Sequence, residues 1–215
     1  AVIGGDGTLD ATLTALRNDG SFKTEPVVAL FNAGTTNMTF KDVGFKSRKR
    51  WALREFIEAA ETNKLKLKQH RPLYIASASL RHPLYGFFLG AAAIPRAIHH
   101  TRQKYHQKGL TNGLSEGATI LTSLFRLLRR KNLEQDALLE PVQNNIDLDG
   151  KQKNDRTVLL MVTSLHKLLV GLKPYHAQQK EGFTVTGVFY PYGNILRNFP
   201  ALFYGRREIP LKADN

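Results

Sequence analysis

A chain of 215 residues, 42% hydrophobic and 23% charged, has material for one large domain or two small ones with an ordinary core. The net charge of +13 points to an anionic partner: nucleic acid, a nucleotide or an acidic membrane surface. With no cysteine, disulfides and thiolate metal sites are excluded and a reducing cytosol fits best.

The chain opens on Ala1-Val2-Ile3, an apolar run that reads as a strand end. No basic leader of a signal peptide stands there; the first residue instead looks like the middle of a strand, so an N-terminal part of the natural protein is expected to precede it. Gly4-Gly5-Asp6-Gly7-Thr8 follows. Leu9, Leu13 and Leu16 then predict a helix over Leu9–Arg17, stopping at Asn18-Asp19-Gly20. Val27–Phe31 predicts a second strand, bounded by Pro26 and the turn Asn32-Ala33-Gly34-Thr35-Thr36-Asn37. Strand, glycine turn, helix, strand, glycine turn is the order of an open α/β sheet. Such sheets bind ligands beyond the carboxyl ends of their strands, where both turns fall.

Ser47–Ala60 predicts an amphipathic helix with Trp51, Phe56, Ile57 and Ala60 turned inward. Lys64–His70 alternates charge with leucine, the period of a half-exposed strand. A domain boundary is expected near Asn63. Arg71–Leu80, Asp155–Leu165 and Glu181–Tyr190 are strand-like, around a helical block near Leu114–Leu128. Leu84–Pro95, the most apolar stretch, falls short of the ~18–20 residues of a membrane span and ends in proline. The expected organisation is an α/β domain over 1–63 and a β-rich domain with a helical insertion over 64–215.

A glycine turn behind a strand aims several backbone N–H groups one way, and the helix that follows adds its positive end. Phosphate fits such a nest, and glycine lets the backbone approach closely. Asp6 would repel bare phosphate; it makes sense facing a metal ion or taking a proton from an attacking hydroxyl. Thr8 can donate to phosphate or cap the helix. In the second turn Gly34 gives close approach, while Thr35 and Asn37 offer short polar groups. The plainer alternative is a tight turn with Asp6 as a helix cap.

GGDGT followed by a strand and a Gly-Thr-x-Asn turn resembles the diacylglycerol kinase catalytic family, which includes sphingosine and ceramide kinases. The first domain of that family is similar to those of NAD kinases and 6-phosphofructokinases. Arg71–Ala97 resembles the start of the family's β-rich lipid-binding domain, Lys180–Val188 its Asp-Gly-x-Leu-x-Val strand, and Gly193–Glu208 its late helix and basic ending. The resemblance implies an NAD kinase-like open α/β domain followed by a β-rich, sandwich-like domain. It further implies ATP phosphates against Gly4, Gly5, Gly7, Thr8, Gly34, Thr35 and Asn37, with magnesium. Asp6 would be the base or metal-facing acid, and Glu181 a second acidic residue.

The chain departs from the family pattern at four positions. Asp10 and Ala11 stand where an Asn-Glu pair is usual, Asn32 replaces a proline, and Glu181 replaces an aspartate. By the same resemblance a phosphate loop before Ala1 and an Asp-Gly-Glu segment after Asn215 are expected but lie outside this sequence. The function expected is an ATP-dependent lipid kinase acting on a diacylglycerol or sphingoid hydroxyl. It would be cytoplasmic and peripheral to the inner membrane face. The alternatives are an NAD kinase, or a degenerate member that binds nucleotide or lipid without transfer. Oligomeric state stays open, a homodimer included.

Basic residues recur at Lys46–Arg54, Arg96–Lys108 and Leu121–Lys131. The last sets Leu121, Leu124, Phe125 and Leu128 on one helical face beside Arg126, Arg129, Arg130 and Lys131, a pattern able to lie on an anionic bilayer. No nucleic-acid-binding motif accompanies the charge, so nucleic acid is not expected as a partner. His82, His99, His100 and His106 lack metal-ligand spacing. Asn37-Met38-Thr39 matches a glycosylation sequon, read here as chance.

Overall fold

The computed structural model describes residues 1–34, 37–43, 51–106, 137–168 and 182–190, with the backbone alone for 43 and 101–106. Thr35, Glu181, the helical block near Leu114–Leu128, the basic segment Leu121–Lys131 and Gly193–Glu208 lie outside them. The chain divides into two compact units: Ala1–Phe88 with Ser164–Leu169, and Leu89–Thr163 with Val170–Asn215.

In the first unit β1 (Val2–Gly4) and β2 (Leu30–Asn32) run parallel, with Val2, Ile3 and Gly4 opposite Leu30, Phe31 and Asn32. Helix α1 (Asp6–Asp19) connects them. It starts three residues before the expected Leu9, because a single residue, Gly5, forms the turn and serves as its N-cap. Gly20 ends it in the left-handed region at φ 65°, where the lack of a Cβ is needed. Val2, Leu9, Leu30 and Phe31 are buried, and α1 packs against β1.

Helix α2 (Met38–Val43) follows the second turn and packs on β2 and α1. Helix α3 (Ala52–Glu61) buries Ala52 and sets Phe56 edge-on to Phe31, with ring centroids 5.4 Å apart. The expected inner face was only partly right: Phe56 and Ala60 are half-buried, whereas Trp51 and Ile57 are exposed. Trp51 precedes the first helical residue, which places it off the helical stripe. The strand expected over Lys64–His70 is not formed. That segment pairs with no strand, and Leu65 and Leu67 are exposed. Its alternation lacks a neighbouring edge to complete a ladder.

β3 (Leu73–Ile75) and β4 (Leu84–Gly86) form an antiparallel pair docked on α1. The docking is polar. Asn18 Nδ2 donates to the Pro83 carbonyl at 2.9 Å. Thr14 Oγ1 accepts from Tyr85 N–H at 3.0 Å and donates to the Tyr85 carbonyl. Asp10 accepts from Phe87 N–H. Side chains four apart on a helix repeat every ~6 Å, and backbone groups two apart on a strand every ~6.8 Å, so the two rows stay in step.

In the second unit β5 (Phe88–Ala92), β6 (Val142–Leu148), β7 (Lys151–Thr163) and β8 (Thr184–Tyr190) form a four-stranded sheet, with β7 the common partner. Arg156 and Thr157 pair on both edges, with β6 and with β8. Two of these strands realise the expected strands at Asp155–Leu165 and Glu181–Tyr190. The β6–β7 hairpin was not expected from sequence. It turns at Asp149-Gly150, both left-handed at φ 53° and 82°, and Asp147 Oδ1 accepts from Gly150 N–H at 2.8 Å. An Asp-Gly pair between strands is the signature of such a turn. Helix α4 (Ala93–His106) was likewise unexpected; it lies against β7 and buries Ala93, Ile94 and Ala97. Pro95 sits in its first turn, where no N–H is required. Among the described residues no helix is long and apolar enough to cross a membrane, and Leu84–Pro95 divides among β4, β5 and α4.

Candidate functional site

The two glycine turns lie side by side at the carboxyl ends of β1 and β2. Gly4 is opposite Asn32, and Ala33 N–H donates to the Gly4 carbonyl at 3.0 Å. The turns touch through bare backbone. A Cβ on Gly34 would come within 2.2 Å of Gly5 Cα, and one on Gly5 within 3.0 Å of Gly34 Cα. No side chain fits at Gly34 unless the backbone moves. Gly4 is constrained differently, because a Cβ there would meet the Thr8 side chain at 2.6 Å. Gly7 faces open space, with nothing within 4 Å of where its Cβ would stand. Three glycines thus serve packing, and the fourth leaves room.

Asp6 does not cap its own helix. N-cap Gly5 supplies no side-chain bond, and the Asp6 carboxylate reaches across to α2. Its Oδ2 accepts from Met38 N–H and its Oδ1 from Thr39 N–H, both at 2.9 Å. These are two of the orphan donors at the start of α2, where a carboxylate is electrostatically favoured. The acid that was hard to reconcile with bare phosphate therefore ties the second turn to the first.

Asn37 closes the second turn on itself. Its Oδ1 accepts from Gly34 N–H at 3.0 Å and its Nδ2 donates to the Gly34 carbonyl. The residue is buried and left-handed at φ 50°, a conformation asparagine tolerates. Its amide shapes the loop from within and is not available to a glycan. Thr39 is buried too. Thr8 and Gly7 are exposed in the first turn of α1.

Two polar residues missed as site members border the turns. Asn32 carries a buried Oδ1 with no hydrogen-bond partner among the described residues, directly across from Gly4. Asp10, one turn of helix after Asp6, has a buried Oδ1 without a partner among the described residues. Burial and then the Asp6 charge push its carboxyl up from 3.8 to about 6, against the Phe87 N–H, which lowers it. Gly86 has no side chain where the Asp10 carboxylate lies: a Cβ there would stand 3.1 Å from its Cγ. Both residues were legible only as departures from the family pattern.

The sequence thus brings together Gly4, Gly5, Asp6, Gly7, Thr8, Gly34 and Asn37. Residues 1–70 match the model of the diacylglycerol kinase catalytic domain. Over this third of the chain the sequence is similar to the diacylglycerol kinase catalytic domain. A solved structure of a candidate diacylglycerol kinase from Bacillus anthracis str. Sterne has the same overall fold, with a TM-score of 0.56 at 17% identity. The alignment covers 92% of this chain and 57% of that one, so the chain spans little more than half of that protein's length. No curated protein matches the sequence.

Both glycine turns fall inside the matched segment. Ala11, where the family carries glutamate, is exposed on α1. In the second unit Arg96, His99 and His100 line a shallow cavity of about 460 Å³ with Pro95, Ala137 and Leu138. Among the described residues no three His, Asp or Glu side chains form a group that could hold a metal ion.

Proposed function

We propose that this chain carries the catalytic domain of an ATP-dependent lipid kinase, which transfers a γ-phosphoryl group to a hydroxyl of a diacylglycerol or sphingoid lipid. The observation that carries the reading is the Asp6 carboxylate joining the two glycine turns through Met38 and Thr39. Nothing in a plain strand–helix turn requires a second glycine turn to be tied to it by an acid.

The residues present fit a triphosphate. Gly7 leaves open space at the start of α1, the exposed Thr8 can donate its hydroxyl, and the uncapped helix start favours negative charge. Gly34 and Asn37 set the shape of the second turn. Each Asp6 oxygen accepts one N–H and keeps further lone pairs for a cation or a proton. Magnesium, when bound, would supply positive charge to offset the phosphates, with Asp6 the residue placed to face it. In the reaction the lipid hydroxyl oxygen forms a bond to the γ-phosphorus as the bond to the β-phosphate oxygen breaks. The hydroxyl proton passes to Asp6, and ADP leaves. Glu181 enters this proposal only by resemblance. So do the assignment of 1–63 to nucleotide and 64–215 to lipid, and a place at the cytoplasmic membrane face.

The test is phosphoryl transfer from ATP by the full-length protein to diacylglycerol, sphingoid bases and ceramide. Asp6→Asn is expected to lower turnover by ~10²–10⁴-fold, the usual cost of losing a positioned acid or base. Absence of turnover on every lipid, or an Asp6→Asn protein as active as the parent, would refute the reading. ATP binding without transfer would favour the degenerate alternative, to which exposed Ala11 lends support.

A further inference from the structure

Residues 51–68 of the first unit expose large apolar side chains that the proposed chemistry does not use. Of the thirteen exposed large apolar residues among those described, five fall in this stretch: Trp51 (50% exposed), Leu53 (48%), Ile57 (46%), Leu65 (39%) and Leu67 (73%). Leu53 and Ile57, four apart, share one face of α3 that ends at Glu61; Glu55 and Glu58, three apart, mark another, next to Trp51. Asn63, left-handed at φ 51°, ends the helix, and Lys64 N–H donates to the Ala59 carbonyl at 2.8 Å. The chain is thereby led straight into Lys64-Leu65-Lys66-Leu67-Lys68.

That segment pairs with no strand, and all five residues are exposed. Lysine alternates with leucine through it, and the Arg54 guanidinium lies over the Trp51 ring, 6.0 Å from its centroid. Exposed leucines interleaved with lysines suit one environment well: an interface with acyl chains below and anionic headgroups above. Tryptophan prefers the same boundary. A purely aqueous face would gain nothing from Leu67, and an apolar protein partner would leave the lysines without counter-charge.

We infer that residues 51–68, through Trp51, Leu53, Ile57, Leu65 and Leu67 with Arg54, Lys64 and Lys66, form a docking surface for an anionic lipid bilayer. This deepens the lipid-kinase reading by naming the surface that meets the membrane, and its test reads binding, so the two can fail separately. The chain contains one tryptophan, so Trp51 reports on the surface alone.

The full chain is mixed with vesicles of phosphatidylcholine, or of phosphatidylcholine with 30 mol% phosphatidylserine (roughly the charge density of an anionic leaflet). Trp51 emission is expected to shift to the blue with the anionic vesicles only. Leu65→Ser/Leu67→Ser is expected to abolish the shift and weaken partitioning at least ~10-fold. Lys64→Gln/Lys66→Gln should weaken it by ~5-fold per lysine. All four positions are exposed, so circular dichroism should be unchanged. Vesicle binding that survives both double substitutions, or a Trp51 spectrum blind to vesicles, overturns the inference. So does a blue shift that follows protein concentration without lipid, which would make the surface a contact between copies.

Discussion

At the scale of single residues, the glycines of the two turns divide into those the fold needs and one it does not. Gly34 has no room for a side chain, since its Cβ would lie 2.2 Å from Gly5 Cα. Gly34→Ala is expected to destabilise by ~1–3 kcal/mol, the usual cost of overpacking. Gly7→Ala meets nothing within 4 Å and lies inside α1, where alanine should add ~0.5–1 kcal/mol of stability. If phosphate approaches at Gly7, the same substitution must weaken ATP binding. Thermal melts beside ATP titrations decide the matter: a stabilised Gly7→Ala protein with undiminished ATP affinity would remove Gly7 from the site. Asp10 makes a separate prediction. Its carboxyl is raised to about 6 by burial and by Asp6, so the folded chain holds that proton more tightly than the unfolded one. Its contribution is therefore full below about pH 4 and is lost as pH rises through 6, leaving a net cost at neutral pH. Asp10→Asn keeps an acceptor for Phe87 N–H without the charge. It should raise stability at pH 7.5 by ~1 kcal/mol, allowing for solvent screening, and give no advantage at pH 4. Equal gains at both values, measured by urea unfolding, would contradict this account.

At the scale of elements, what the sequence made legible depended on whether a signal was local. The β1–α1–β2 order, the stop at Gly20, and the strands β7 and β8 could be read from hydrophobic period and glycine position alone. The polar stripe Asp10, Thr14 and Asn18 could not, because its partners Phe87, Tyr85 and Pro83 lie about 70 residues on and are backbone groups without a sequence signature. The same reason hid the bonds of Asp6. An acid at the start of a helix can face a metal ion or a proton or cap its own helix, and only the return of Met38 and Thr39 to its side shows it capping another. Lys64–Lys68 erred the other way. Its period of two is that of a strand, yet period alone supplies no neighbour, and the segment remains unpaired and exposed. Helix α4 was obscured because its histidines and arginines drew attention to charge, while its buried positions are the small Ala93 and Ala97 beside Ile94. The candidate site was thus readable as a set of residues, but the bonds that assemble it were not.

At the scale of the molecule, the first unit is not a continuous stretch of chain. After β7 the chain crosses back, so that Ser164–Leu169 belongs with Ala1–Phe88. Leu165 and Leu168 are buried, Ser164 N–H donates to the Phe87 carbonyl at 3.2 Å, and His166 N–H donates to Asp42 Oδ2 at 2.7 Å. His166 also stands edge-on to His70, with centroids 6.0 Å apart. This strap touches α2 at Asp42 and Phe87 just after β4, the two places that Asp6 and Asp10 also hold. The family match over 1–70 therefore marks a segment whose fold is completed from far along the chain. Removing the strap would expose the apolar side chains packed against Leu165 and Leu168 and take the Ser164 N–H away from the Phe87 carbonyl. An isolated 1–88 fragment is accordingly expected to show no cooperative thermal transition. In the full chain Leu165→Ala should cost ~2–4 kcal/mol and lower the melting temperature by several degrees. Because α2 is tied to the strap through Asp42, ATP affinity should fall with it. If the fragment melts as sharply as the full chain, and at the same temperature, the strap is an ornament of the fold and Asp42 holds nothing that the site requires.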